Sequence, residues 1–300
     1  MLRVRVLLGL ACVAVTAAGD ELKISKTDRV GRIVENEYLI ADLSSRMVRG
    51  KQEDSGTLRA LTYKPFGVKL LRSQNRMHWA PNLTRTGSTG YSGMGTWEPV
   101  QEFREEEKSG EYVHRRQGYF QAFPEIKAEA EYRFLPGVPY FLFSSRLIVE
   151  RPITVRLLRN NEMTMDAFFT HLAWPSADGK QHLTTFDERS AILEKEPMAQ
   201  DVPWLAFLNL EKGYGYGFVM LESRATKLVN AGTGISDGVE NGKYWSRRLI
   251  SRTDTPLADG DRFEERSAYV LFRCSKEKPL NDFFDWEKQI RRRFARANRR

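Results

Sequence analysis

Ile126-Lys127-Ala128-Glu129-Ala130-Glu131-Tyr132-Arg133-Phe134 alternates apolar and charged residues without a break. A period of two belongs to a β-strand, whose successive side chains point to opposite faces, so one face of this strand is expected on a core and the other in water. Leu135-Pro136-Gly137-Val138-Pro139 supplies the residues of a turn, and Tyr140-Phe141-Leu142-Phe143-Ser144-Ser145-Arg146-Leu147-Ile148-Val149 reads as the returning strand of a hairpin.

Further strand-like runs occupy 32–43, 67–71, 112–116, 154–158, 204–209, 216–221, 245–252 and 267–273. Many strands at short spacing with Gly and Pro between them predict an antiparallel β-sandwich, and no fixed-period repeat points to a propeller or solenoid. The chain therefore reads as mainly β until its end. There, Asp282 to Phe294 places Phe283, Trp286 or Glu287, Ile290 and Phe294 on one stripe behind a capping Asn281 or Asp282. This predicts a short amphipathic helix packed on the sandwich.

The start of the chain is of another kind. Arg3 and Arg5 precede an apolar run, Val6 to Ala14, and small residues follow at Ala17 and Ala18. That is the three-part pattern of a cleaved secretory signal, and the run is shorter than the roughly 20 residues a membrane span needs. The expected organisation is a signal peptide over 1–18, a β-sandwich domain over 19–281, and a C-terminal helix and basic tail over 282–300. No transmembrane segment is expected after cleavage, and the mature protein is expected to be secreted or periplasmic. Of the two cysteines only Cys274 then remains, in a strand-like run where a packed, inert thiol is expected, so a core has to supply the stability.

The net charge of +8 is unevenly spread: residues 1–18 carry +2 and residues 285–300 carry +5, which leaves +1 for 19–284. A body so close to neutral is not a phosphate-tracking surface, so no nucleic-acid partner is expected.

Three segments concentrate groups able to do chemistry. The stretch from Arg159 to His171 holds Arg159, Asn160, Asn161, Glu162, Asp166 and His171 among large apolar residues; buried polar groups need partners, so it forms either a structural network or a site. Asn241-Gly242-Lys243-Tyr244-Trp245-Ser246-Arg247-Arg248 delivers a tyrosine, a tryptophan and two arginines, the kit that stacks on a pyranose and pairs with a carboxylate. It also reads as a loop entering a strand, with Trp245 in the core and the arginines solvated. A third, Asn75 to Asn82 with the Gly/Ser/Thr-rich run to Trp97, carries His78, Trp79 and Trp97.

Other chemistries lack their residues. Four histidines and two cysteines show no metal-ligand spacing, so no cofactor is expected, although loop carboxylates leave calcium open. No Gly-x-Ser-x-Gly is present. Gly213-Tyr214-Gly215-Tyr216-Gly217-Phe218 lacks the Lys-Ser/Thr ending of a phosphate loop and reads as a turn into a strand.

Ile33 to Leu43 as an opening strand, the hairpin around 136–139, and aromatic-rich strands over most of 22–275 together resemble the galactose-mutarotase-like β-supersandwich domains of carbohydrate-active enzymes, several polysaccharide lyases among them. The resemblance implies a glycan lying across a sheet face. It favours a polysaccharide lyase that cleaves a uronic-acid-containing glycan by β-elimination. Arg159, Asn160, Asn161, Arg247 or Arg248 would bind and neutralise the carboxylate; His171, Tyr244 and Glu162 would move protons; His78, Trp79 and Trp97 would hold sugar. The alternatives are a glycoside hydrolase using Glu162 with Asp166 or Asp201, a mutarotase or epimerase, and a non-catalytic glycan-binding envelope protein.

Overall fold

The computed structural model describes residues 21–43, 46–48, 51–53, 58–70, 81–87, 102–108, 110–120, 122–165, 168–186, 198, 201–238 and 242–297, with backbone alone at 46–48, 51–53, 161–165, 236–238 and 242–244. The signal-like segment, His78, Trp79, Trp97 and Asp166 lie outside the described residues.

Nine antiparallel strands form the main sheet. Across it run β15 (Gln181–Thr185), β14 (His171–Pro175), β16 (Trp204–Asn209), β17 (Tyr214–Ala225), β21 (Arg262–Arg273), β12 (Tyr140–Val149), β11 (Phe123–Phe134), β10 (Glu111–Phe120) and β9 (Glu102–Lys108). A second sheet orders β18 (Gly232–Gly238), β19 (Gly242–Ile250), β13 (Ile153–Met165) and β20 (Thr255–Leu257), with β8 (Asn82–Arg85) also on β13. A third joins β1 (Lys23–Lys26), β2 (Arg32–Glu35), β3 (Leu39–Asp42), β6 (Ala60–Tyr63) and β7 (Val68–Lys69), and β4 (Arg46–Val48) pairs with β5 (Lys51–Glu53).

The hairpin of β11 and β12 lies inside the main sheet, between β10 and β21. Gly137 takes φ 65°, the left-handed conformation that glycine adopts without strain, and the turn sets Phe134 opposite Phe141. Alternation then puts Ile126, Ala128, Tyr132 and Phe134 on an inner face, where they are buried. One core cluster joins these residues to Trp245 and Leu249 of the second sheet and to Val34, Leu39 and Leu61 of the third, so both smaller sheets pack on the inner face. Burying each such side chain contributes about 1.5–3 kcal/mol, and this core stabilises the fold without a disulfide. Cys274, the one cysteine among the described residues, is buried, and that burial pushes its thiol up to about 12.

The outer face of the main sheet is covered in part by the helix α1 (Asn281–Ala297). Phe283 and Ile290 are its buried residues, and Phe283 packs against Phe272 and Trp204 with ring centroids 5.3 and 5.6 Å apart. The glycines of the run that resembled a phosphate loop explain how a helix comes so close. Gly215 and Gly217 point outward from β17, where an added Cβ would meet the Phe272 ring at 2.2 Å and the Phe283 ring at 2.4 Å, while Tyr214 and Tyr216 point into the core.

The structure corrects one reading. Residues 32–43 form two strands, not one, because Asn36 makes a turn: its side-chain oxygen accepts from the Tyr38 and Leu39 amides at 2.8 Å, and its amide donates to the Leu135 and Val138 carbonyls at 2.9 Å.

Gly217→Val should force Phe283 off the sheet. Urea unfolding is expected to show a loss of about 1–3 kcal/mol, the usual cost of overpacking a filled site, with the helix end of the protein opening first in hydrogen exchange.

Candidate functional site

Three polar clusters compete for the role. The first gathers several of the residues expected from the sequence. β13 and β19 pair, which sets Arg159 opposite Arg248, Asn160 opposite Arg247 and Thr164 opposite Tyr244. The register shifts between Asn160 and Met163, so Asn161 and Glu162 fall in a bulge; their side chains and that of Tyr244 lie outside the described residues.

This cluster faces inward. Arg247 is 1% exposed, forms an ion pair with Glu265 of the main sheet, and donates to Ser223 Oγ at 3.1 Å. Asn160 is equally enclosed, 3.2 Å from Ser145 Oγ and 3.5 Å from Glu265 Oε2. Burial pulls the Arg247 guanidinium down to about 10, against the smaller opposing influence of Tyr269 and Asp201. These groups tie two sheets together rather than meeting a polymer in solvent. Arg248 is half-buried and lies against Gly234, where a Cβ would come within 2.6 Å of its guanidinium. His171 lies elsewhere: on β14, with Nδ1 2.8 Å from Thr170 Oγ1 and β16, β17 and β21 between it and β12.

The second cluster clamps the third sheet to the edge of the main sheet. Arg32, 3% exposed, donates to both oxygens of Glu105 at 2.7 and 2.8 Å and lies 5.0 Å from the Phe103 ring centroid. Tyr112 donates to Glu105 at 3.2 Å, and its oxygen is 3.3 Å from His114 Nδ1. The Arg32 hydrogen bond holds the Glu105 carboxyl at about 2, below the ordinary 4.5, and burial raises the Tyr112 phenol. Tyr112 and His114 are fully buried, so this too is structural.

The third cluster is open. Beside the C-terminal turns of α1, the outer face of the main sheet floors a groove of about 1000 Å³ that crosses β10, β11, β12, β21 and β17. Strand register arranges its side chains in rows. One row runs Gln117, Glu129, Arg146, Glu264, Arg224, with Arg146 reaching Glu129 at 3.2 Å and Glu264 at 2.9 Å. The next runs Arg115, Glu131, Ser144, Arg266, Glu222, with Arg115–Glu131 at 2.6 Å and Arg266–Glu222 at 3.4 Å. Ser144 is the small residue in that row, so the floor dips there between a carboxylate and a guanidinium. α1 supplies an apolar wall with Phe294 and Ala297, and its Arg293 reaches Glu111 at 2.5 Å.

None of these groove residues was singled out from the sequence. Glu129, Glu131 and Arg133 were legible as the wet side of an alternating strand, but a site appears only when register stacks five such strands. Among the described residues no three His, Cys, Asp or Glu side chains gather as a metal would need, and no helix is long and apolar enough to cross a membrane.

Fold and groove define a mainly β, antiparallel sandwich with a helix-walled polar trough on its large sheet. No protein-family model and no curated protein matches the sequence. Solved structures similar in fold include a galactose mutarotase-like protein from Lactobacillus casei, at 10% identity and TM-score 0.48, covering 80% of this chain and 99% of that one. A TPR-domain containing protein from Parabacteroides distasonis is similar at 12% identity and TM-score 0.49, covering 84% and 48%. A heparan sulfate lyase from Pedobacter heparinus is similar at 12% and 0.45, covering 87% and 36%. The chain thus spans about half the length of the second and about a third of the third. No residue role is carried across from them.

Two outcomes follow for the enclosed clusters. Arg247→Met alone should cost about 3–5 kcal/mol by stranding Glu265, whereas R247M/E265L should recover most of that loss in urea unfolding. For Glu105 the folded value lies below the ordinary one, so its contribution is present above about pH 4.5 and is lost as pH falls towards about 2. Glu105→Gln should flatten the acid limb of the stability profile in that window.

Proposed function

We propose that the protein is an exported carbohydrate-active protein that holds a glycan along the outer-face groove. The observation that carries the proposal is the makeup of the groove, with forked guanidinium and carboxylate groups on the floor and an apolar wall along one side. A pyranose is itself two-sided, with hydroxyls around its rim and C–H groups on its faces, and charged side chains make the stronger hydrogen bonds to hydroxyls. Four strand spacings span about 19 Å, room for an oligosaccharide rather than one sugar.

Binding asks least of the site. β-Elimination, the chemistry favoured by the sequence resemblance, needs an arginine, a base and an acid converging on one uronic acid. Of the residues cast for it, Arg247 is enclosed and His171 is on the β14 flank. Cleavage therefore enters as a readout of the same experiment.

The purified mature chain, titrated with a panel of neutral and acidic oligosaccharides, should bind at least one of them. Ser144→Trp, which fills the dip, should weaken that binding at least about tenfold, or about 1.4 kcal/mol, with an unchanged melting temperature. Equal binding by this variant would sink the groove as the site. A new ultraviolet band would identify β-elimination, new reducing ends without that band would identify hydrolysis, and neither would identify binding alone.

A further inference from the structure

We infer that the groove selects neutral glycans and disfavours uronate-rich or sulfated ones; this rests on the groove being the glycan site. The reason is the pairing of its charges. Apart from the buried Arg116 and Glu265, its lining holds seven arginines and six glutamates, so it offers almost no net field. Each outward arginine of the groove floor already has a carboxylate. Arg115 holds Glu131 and Glu106 at 2.6 and 3.1 Å, Arg133 holds Glu111 and Glu131 at 3.0 and 3.2 Å, and Arg146 sits between Glu129 and Glu264. Arg224 and Arg266 share Glu222 at 2.6 and 3.4 Å.

An incoming carboxylate or sulfate therefore meets a guanidinium only beside an existing carboxylate. At similar distances from the two groups, its attraction to one and repulsion by the other nearly cancel. The anion would still lose its hydration. A hydroxyl escapes this cancellation because it carries no net charge. A guanidinium has five N–H donors and uses only some of them on glutamate, and a carboxylate keeps lone pairs after accepting from arginine. Both can thus serve a sugar without releasing their partner. Arg266, 52% exposed and with the longest of these pairings, lies across Ser144 from Glu131, so the dip presents a donor and an acceptor to one sugar ring.

Calorimetry would compare malto-, cello-, manno- and galacto-oligosaccharides with oligogalacturonate and a sulfated oligosaccharide, each at low and high salt. The expected result is binding of a neutral member whose affinity changes less than about twofold between roughly 0.05 and 0.5 M salt, because uncharged ligands are not screened. E129Q/E264Q, which strips both carboxylates from Arg146, should raise oligogalacturonate affinity at least about tenfold. Wild-type preference for the acidic ligands with steep salt dependence would overturn the inference and leave the groove reading standing. So would a folded E129Q/E264Q that gains nothing for uronate. Failure of every oligosaccharide to bind would overturn the groove reading itself.

Discussion

Nine strands about 4.8 Å apart make a sheet roughly 38 Å wide, whereas the seventeen residues of α1 extend about 26 Å. The inner face is buried across its width by two smaller sheets, but one helix cannot cover the outer face. The outer side chains therefore divide into two regions. Under the helix they are Val219, Ala268, Val270, Phe272 and two glycines, packed as a second apolar cluster. Beyond it they are the arginines and glutamates of the groove. Much of the molecule follows from this division: the close-approach glycines on β17, the apolar wall, and the polar floor beside it.

The interior polar groups answer a different demand. A one-residue slip in a strand turns every side chain to the opposite face. Arg247 and Glu265 lie on different sheets, and each sits beside further polar groups in Ser223, Asn160 and Ser145. A slip of β19 would turn Arg247 away and leave Glu265 buried without its counter-charge, a loss of several kcal/mol. The pair thus penalises wrong registers between the sheets, whatever its net contribution to stability.

The sequence was legible where periodicity was local. Residues 140–149 and 204–209 are strands with the bounds read from their pattern, and the helical stripe from Phe283 to Phe294 lies within α1. β9 escaped notice because Glu-Phe-Arg-Glu-Glu-Glu-Lys has no apolar alternation; as an edge strand it packs little of its surface, and its charges discourage further pairing. Arg247 and Arg248 looked alike as neighbours, yet strand geometry sends one into the core and the other to the opposite side. Its partner Glu265 lies on another sheet, out of reach of any local pattern. The groove was invisible for the same reason: each of its charges is an ordinary outward residue until five strands are in register.

Opposite charges on facing strands stabilise a sheet by about 0.2–1 kcal/mol per pair. The ladder that keeps the bare half of the sheet soluble therefore also determines what that half can hold. A ligand hydroxyl gives up water to reach these groups, so each contact adds only about 0.5–1.5 kcal/mol net. No single contact of that size fixes a sugar. For the proposed glycan, useful affinity would have to accumulate along the trough, from rings that meet the floor with their hydroxyls and the α1 wall with their C–H faces, so the groove would discriminate by the length and shape of an uncharged chain rather than by one charged group.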